Sequence, residues 1–176
     1  IKVAKNLAYG PQERQQVDIH TATVGRSDRP VPVVVVFHGG GLIGGSRAAT
    51  TNVADYFASL GYVGVNGRYR LAPDSKWPEG ARHVGPAVTW LKSYAAEYGG
   101  DPEQIFVVGL STGAYHAATY VFRPELLLPG TARPAGAILL SGPYSFDFAS
   151  PSKGELAYFG EDPKRWPDMV IPGHVT

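Results

Sequence analysis

From about residue 31 the chain alternates short, strongly apolar runs with stretches in which apolar residues recur every three or four positions. The first pattern suits strands and the second helices, so the alternation predicts an α/β fold. "VPVVVVFHGG" at 31–40 carries β-branched residues without polar alternation, as expected of a central strand covered on both faces. Over 51–60, Val53, Phe57 and Leu60 fall at helical spacing and Gly61 supplies a stop. "YVGVNGRYR" then reads as a strand. Ala81, Val84, Val88, Leu91, Ala95 and Tyr98 predict an amphipathic helix over 80–98 that runs out at Gly99 and Gly100. "QIFVVGL" is the next strand, and a helix follows it to about residue 122, before Pro124. "AGAILLSG" is the last predicted strand, and its C-terminal end leads into 141–148. Helices joining successive strands imply right-handed crossovers, hence a mostly parallel central sheet with helices on both faces. Residues 1–176 read as one domain, with 151–176 an irregular tail rich in proline, glycine and charge, anchored by Tyr158, Phe159 and Trp166.

Composition narrows the function classes. At 176 residues with 44% hydrophobic and 18% charged residues, the chain can bury a real core. A net charge of +1, with Lys and Arg scattered, offers no basic stripe for nucleic acid or an anionic membrane. The longest apolar run is far shorter than the roughly 20 residues a membrane helix needs. The absence of cysteine excludes disulfides and thiolate chemistry, and leaves the compartment open. The chain begins at Ile1 rather than Met, so its first residues carry no targeting information either way.

Two glycine-rich segments carry the candidate chemistry. In "GLSTG", Gly109 and Gly113 flank Ser111 where an apolar strand turns abruptly into a helix. Such a turn lifts the hydroxyl clear of the sheet edge, while the helix N-terminus offers free backbone N–H groups. Glycine makes up 22 of 176 residues, so about 0.15 chance matches are expected among ten serines. A serine that merely caps the helix is the competing account of that motif alone. "HGGG" at 38–41 is rarer by chance, about 0.01 occurrences, and stands at the end of the central strand. Glycine backbones there can turn their N–H groups inward, so Gly39 and Gly40, with Thr112 from the elbow, form the expected oxyanion hole. Gly41 completes the loop, and His38 is expected to fix the glycine backbone by a ring hydrogen bond rather than to act as general base. The alternative of a phosphate cradle lacks a GK[ST] or a GxGxxG in strand-turn-helix context.

The order of "HGGGLIGG", "YRLAP", "WPEGARHVGPAVTWL" and "DPEQIFVVGLSTGA" resembles the α/β-hydrolase esterases of the hormone-sensitive-lipase and acetyl-esterase type, over residues 8 to 148. "AYGPQERQQVDIH" is similar to the opening strands of the carboxylesterase, feruloyl-esterase (BD-FAE-like) and arylformamidase branch. The resemblance implies a serine hydrolase of short-chain or aromatic esters that works through an acyl-enzyme without metal or cofactor. Thr112 and Ala114 stand where alanine and glycine are usual, and His83 where an aspartate is common. In that family the acid and histidine follow the serine on loops after two further strands. The resemblance therefore implies that the last strands, with the acid and the histidine, reside on a C-terminal segment or a second polypeptide.

None of the histidines present is an easy substitute. His116 lies about one and a half turns along the helix from Ser111, and His20 and His83 fall on an early strand and a peripheral helix. His174 sits in the tail near Asp162 and Asp168, and Asp147 precedes the position where the family places its acid. Leu42, Tyr144 and Phe146 are expected at the catalytic edge, lining a pocket or packing beside it. Two other readings remain at this point: a small-ligand-binding homologue without turnover, and an arylformamidase or amidase using the same residues.

Overall fold

The computed structural model describes residues 1–25 and 28–174, with the side chain of His174 outside the described part. Six strands form one sheet: β1 (Lys2–Ala8), β2 (Gln16–Thr21), β3 (Val31–Phe37), β4 (Val63–Gly67), β5 (Gly100–Leu110) and β6 (Gly136–Leu140), in the spatial order β1-β2-β4-β3-β5-β6. The first two strands pair antiparallel with each other and with β4, while β4, β3, β5 and β6 run parallel. The helices are α1 (Thr51–Ser59), α2 (Glu79–Tyr94), α3 (Thr112–Phe122) and α4 (Lys153–Phe159).

β3 lacks alternation because both its faces are covered. Val33, Val35 and Phe37 pack with Val84, Val88 and Leu91 of α2 and Ala117 and Tyr120 of α3, while Val34 and Val36 pack with Ala54 of α1. Each fully buried aliphatic side chain of this kind contributes roughly 1.5–3 kcal/mol. Ala54 and Ala58 are the fully buried residues of α1, Val53 and Phe57 pack partly buried against the same side of the sheet, and Leu60 is left half exposed. α1 lies too close to β4 for larger groups: a Cβ at Gly64 would stand 2.1 Å from the Ala54 carbonyl oxygen. The second predicted helix ends at Tyr94, and one 3-10 turn over Ala95–Tyr98 leads to Gly99 at φ 84°.

The C-terminal stretch departs from the irregular tail expected of it. Ser152 and Glu155 form a reciprocal capping box that starts α4, and 3-10 segments follow over Pro163–Met169 and Pro172–His174. Tyr158, Phe159, Trp166, Met169 and Ile171 are buried with Tyr115 and Ala118 of α3 in a second core. Among the described residues no helix is long and apolar enough to cross a membrane.

Candidate active site

The parallel strands end together, so the segments after β3, β4, β5 and β6 meet along one edge of the sheet. Ser111 sits between β5 and α3 at φ 52° and ψ −121°, a conformation costing a non-glycine residue on the order of 1–3 kcal/mol. Neighbouring structure holds it there: its N–H donates to Leu140 O of β6 at 2.8 Å, and its carbonyl accepts from the N–H groups of Ala114 and Tyr115. The side chain is exposed, and no hydrogen bond among the described residues occupies its hydroxyl. Gly109 and Gly113 stand on either side, at the end of β5 and in the first turn of α3.

The glycine loop runs directly alongside. A Cβ at Gly39 would stand 2.8 Å from Ser111 Cβ and 3.4 Å from Ser111 Oγ. Gly40 and Gly41 adopt φ 142° and 60°, and Gly44 N–H closes the turn on Gly40 O at 2.9 Å. The N–H groups of Gly39, Gly40 and Thr112 enter no hydrogen bond among the described residues. His38 is fully buried, with its Nδ1–H donating to Gly39 O at 2.7 Å and its ring stacked on Tyr69 at 4.5 Å. Burial lowers the His38 pKa, which keeps the ring neutral and suits a loop-fixing role.

The remaining histidines lie elsewhere in the fold. His116 is buried among Tyr69, Tyr115 and Tyr158, and desolvation, with His83 and His38 nearby, pulls its pKa down to about 3. His83, expected on a peripheral helix, is also buried, because α2 turns that face toward the protein interior; burial takes its pKa down to about 4. His20 pairs with Asp55 at 2.8 Å, joining β2 to α1. Asp147 is exposed in a turn and accepts the Ala149 N–H, while Asp162 caps the start of a 3-10 segment through Lys164 N–H. The carbonyl of Asp168, not its carboxylate, receives Arg123 Nη1 at 2.6 Å. No described histidine is hydrogen-bonded to Ser111.

Leu42 and Phe146 pack into the second core, and Phe146 lies 4.5 Å from the Phe159 ring and 5.5 Å from that of Tyr115. Tyr144 borders an apolar cavity of about 190 Å³ with Ala118, Phe122, Leu139, Ile171 and Pro172.

The buried histidines give the fold a pH dependence with a definite sign. An unfolded histidine titrates near pH 6.5, whereas His83 and His116 stay neutral in the fold down to about 4 and 3. Below pH 6.5 the unfolded chain therefore binds more protons, and stability falls with pH by up to about 1.4 kcal/mol per unit for each ring. A thermal midpoint followed by circular dichroism should drop steadily from pH 6.5 to 4, and His116→Gln should flatten the slope. A level profile over that range would contradict this account.

A family model described as BD-FAE matches residues 17–123, more than half of the chain. The chain is 30% identical over 143 residues to Esterase LipQ of Mycobacterium tuberculosis, a match covering 79% of this chain and 34% of that protein. It spans about a third or less of the length of the curated relatives it matches. Among solved structures, a bacterial heroin esterase is similar at 30% identity and a TM-score of 0.58, over 70% of this chain and 39% of that one. Thermogutta terrifontis esterase 2 in its apo form shares the fold at a TM-score of 0.77 and 24% identity, over 99% of this chain and 66% of its own. With the sheet order, the helices on both faces and the strand-serine-helix turn in place, the match across the central sheet settles the lineage: this α/β-hydrolase fold chain belongs to the BD-FAE family.

Proposed function

We propose that the protein hydrolyses carboxylic esters with Ser111 as nucleophile. The observation that carries this reading is the strained, exposed Ser111 seated against Gly39, with the N–H groups of Gly39, Gly40 and Thr112 used by no acceptor among the described residues. In the reaction a histidine base takes the Ser111 proton as Oγ attacks the ester carbonyl carbon. The carbonyl oxygen becomes an oxyanion facing Gly39, Gly40 and Thr112 N–H, where fixed donors are worth far more than in water. The alcohol departs with the proton, leaving an acyl-serine. Water, deprotonated by the same base, then attacks that acyl group, and the base returns the proton to Ser111 Oγ as the carbon–Oγ bond breaks and the carboxylic acid leaves.

The base and its acid come, on this reading, from polypeptide outside the described residues that pairs along β6. Two features support it: no described histidine engages Ser111, and β6 is an edge strand on which Ile138 and Leu140 are about half exposed. The names of the similar proteins favour ester substrates, and we assign small acyl or aromatic esters. The same lack of a local base favours a second reading, ligand binding without turnover. A fluorophosphonate probe distinguishes the two in the full-length gene product: an adduct on the peptide containing Ser111 supports the esterase. A folded, unlabelled protein that still binds an ester analogue would overturn it.

A further inference from the structure

Tyr69 follows β4 in sequence, yet it is wholly buried beneath the glycine loop and the serine turn. Its hydroxyl donates to His38 O at 2.7 Å, its ring stacks on His38, and it meets the His116 ring edge-on at 4.8 Å. The His38 carbonyl that this hydroxyl holds also lies against the serine turn: a Cβ at Gly113 would stand 2.5 Å from His38 O. One phenol thus holds the peptide before Gly39, the same carbonyl against which the serine turn packs at Gly113. Its backbone is held from outside by Arg14, whose Nε donates to Tyr69 O at 2.8 Å and whose Nη2 donates to Gly45 O at 3.2 Å. Arg14 therefore ties the β1–β2 connection both to Tyr69 and to the far end of the glycine loop. On the same side Ala72 N–H donates to Leu42 O at 3.0 Å.

We propose that Tyr69, braced by Arg14, is the positioning residue of the oxyanion hole: its hydroxyl sets the spacing between the glycine loop and the serine turn. This rests on the esterase reading above. A glycine loop has little stiffness of its own, because each glycine samples left-handed and right-handed backbone equally. Its donors act on an oxyanion only if held within a few tenths of an ångström of their working positions, and a displacement near 1 Å can cost about 100-fold in rate. Residue 69 supplies that constraint without touching substrate, since its polar atom is spent on His38 O.

The test is Tyr69→Phe in the full-length gene product, assayed on a 4-nitrophenyl ester and with a trifluoromethyl ketone as transition-state analogue. Loss of the hydroxyl should lower kcat by about 10- to 100-fold with KM within about twofold, and weaken the ketone by the same factor as kcat/KM. Tyr120→Phe is the control, because it removes another buried tyrosine bond, to Ala132 O at the far end of α3, and should leave kcat unchanged. Arg14→Gln, outside the core, should lower kcat by about fivefold in the same pattern and serves if Tyr69→Phe does not fold. Unchanged kcat in both Tyr69→Phe and Arg14→Gln, or an equal loss in Tyr120→Phe, would overturn the assignment while leaving the esterase reading intact. A wild-type protein that hydrolyses no ester would remove the reading and the assignment together.

Discussion

Ser111→Ala in the full-length gene product is expected to abolish ester hydrolysis, with kcat falling about 10⁴- to 10⁶-fold and fluorophosphonate labelling lost. The size of the loss follows from the site's layout. The neighbouring hydroxyls of Thr112 and Tyr69 are buried beneath the turn, so neither can take the place of Ser111. What remains after the substitution is the residual help that backbone donors and binding give to attack by water. Alanine also has less steric difficulty than larger residues at φ 52°, so the fold should survive and the thermal midpoint should shift by no more than a few degrees. Retention of a tenth of the wild-type rate would mean that Ser111 is not the attacking group, however well the turn resembles one.

The largest stability loss is expected from Gly113→Ala. Its new Cβ would stand 2.3 Å from Phe37 O and 2.5 Å from His38 O, both backbone atoms of β3 and the loop it feeds. Neither can rotate aside, so α3 must lift away from the sheet. That separation disturbs the packing of Ala117 and Tyr120 on β3 and costs roughly 3 kcal/mol, or about 6–12 °C in thermal midpoint for a chain of this size. Gly61→Ala makes a fair comparison, since it carries a φ of 89° with nothing within 4 Å of the added Cβ. It should lose only about 1 kcal/mol, the backbone term alone. Equal midpoint shifts in the two variants would show that close approach at Gly113 is not what the turn depends on.

Much of the sheet was legible because burial leaves a periodic record. β3 reads as a central strand since a residue covered on either face has no reason to alternate, and α2 is visible from Ala81, Val84, Val88 and Leu91 recurring at one helical face. The His38 ring bond to Gly39 O could be anticipated because the two groups are adjacent in the chain. α4 left a readable signal in Ser152 and Glu155 that the surrounding prolines and glycines obscured. The burial of His83 left none, because what covers it comes from other parts of the chain. Tyr69 likewise appears in the sequence only at the end of the strand-like run 62–70 and at the start of "YRLAP", whereas the strand stops at Gly67, and nothing local says that its hydroxyl reaches His38 O, 31 positions away.

By itself, then, the sequence determined the alternation of strands and helices, the two glycine turns and the serine at the centre of the second. These depend on local sterics and on periodic burial, which act over a few residues. Only the tertiary structure decided that Gly39 lies against Ser111, that α4 closes over α3, that Tyr69 and Arg14 brace the loop, and that no described histidine engages the serine. These are juxtapositions of segments far apart in the chain, set by which faces pack together, and the closure of long loops leaves no periodic mark on the residues it joins.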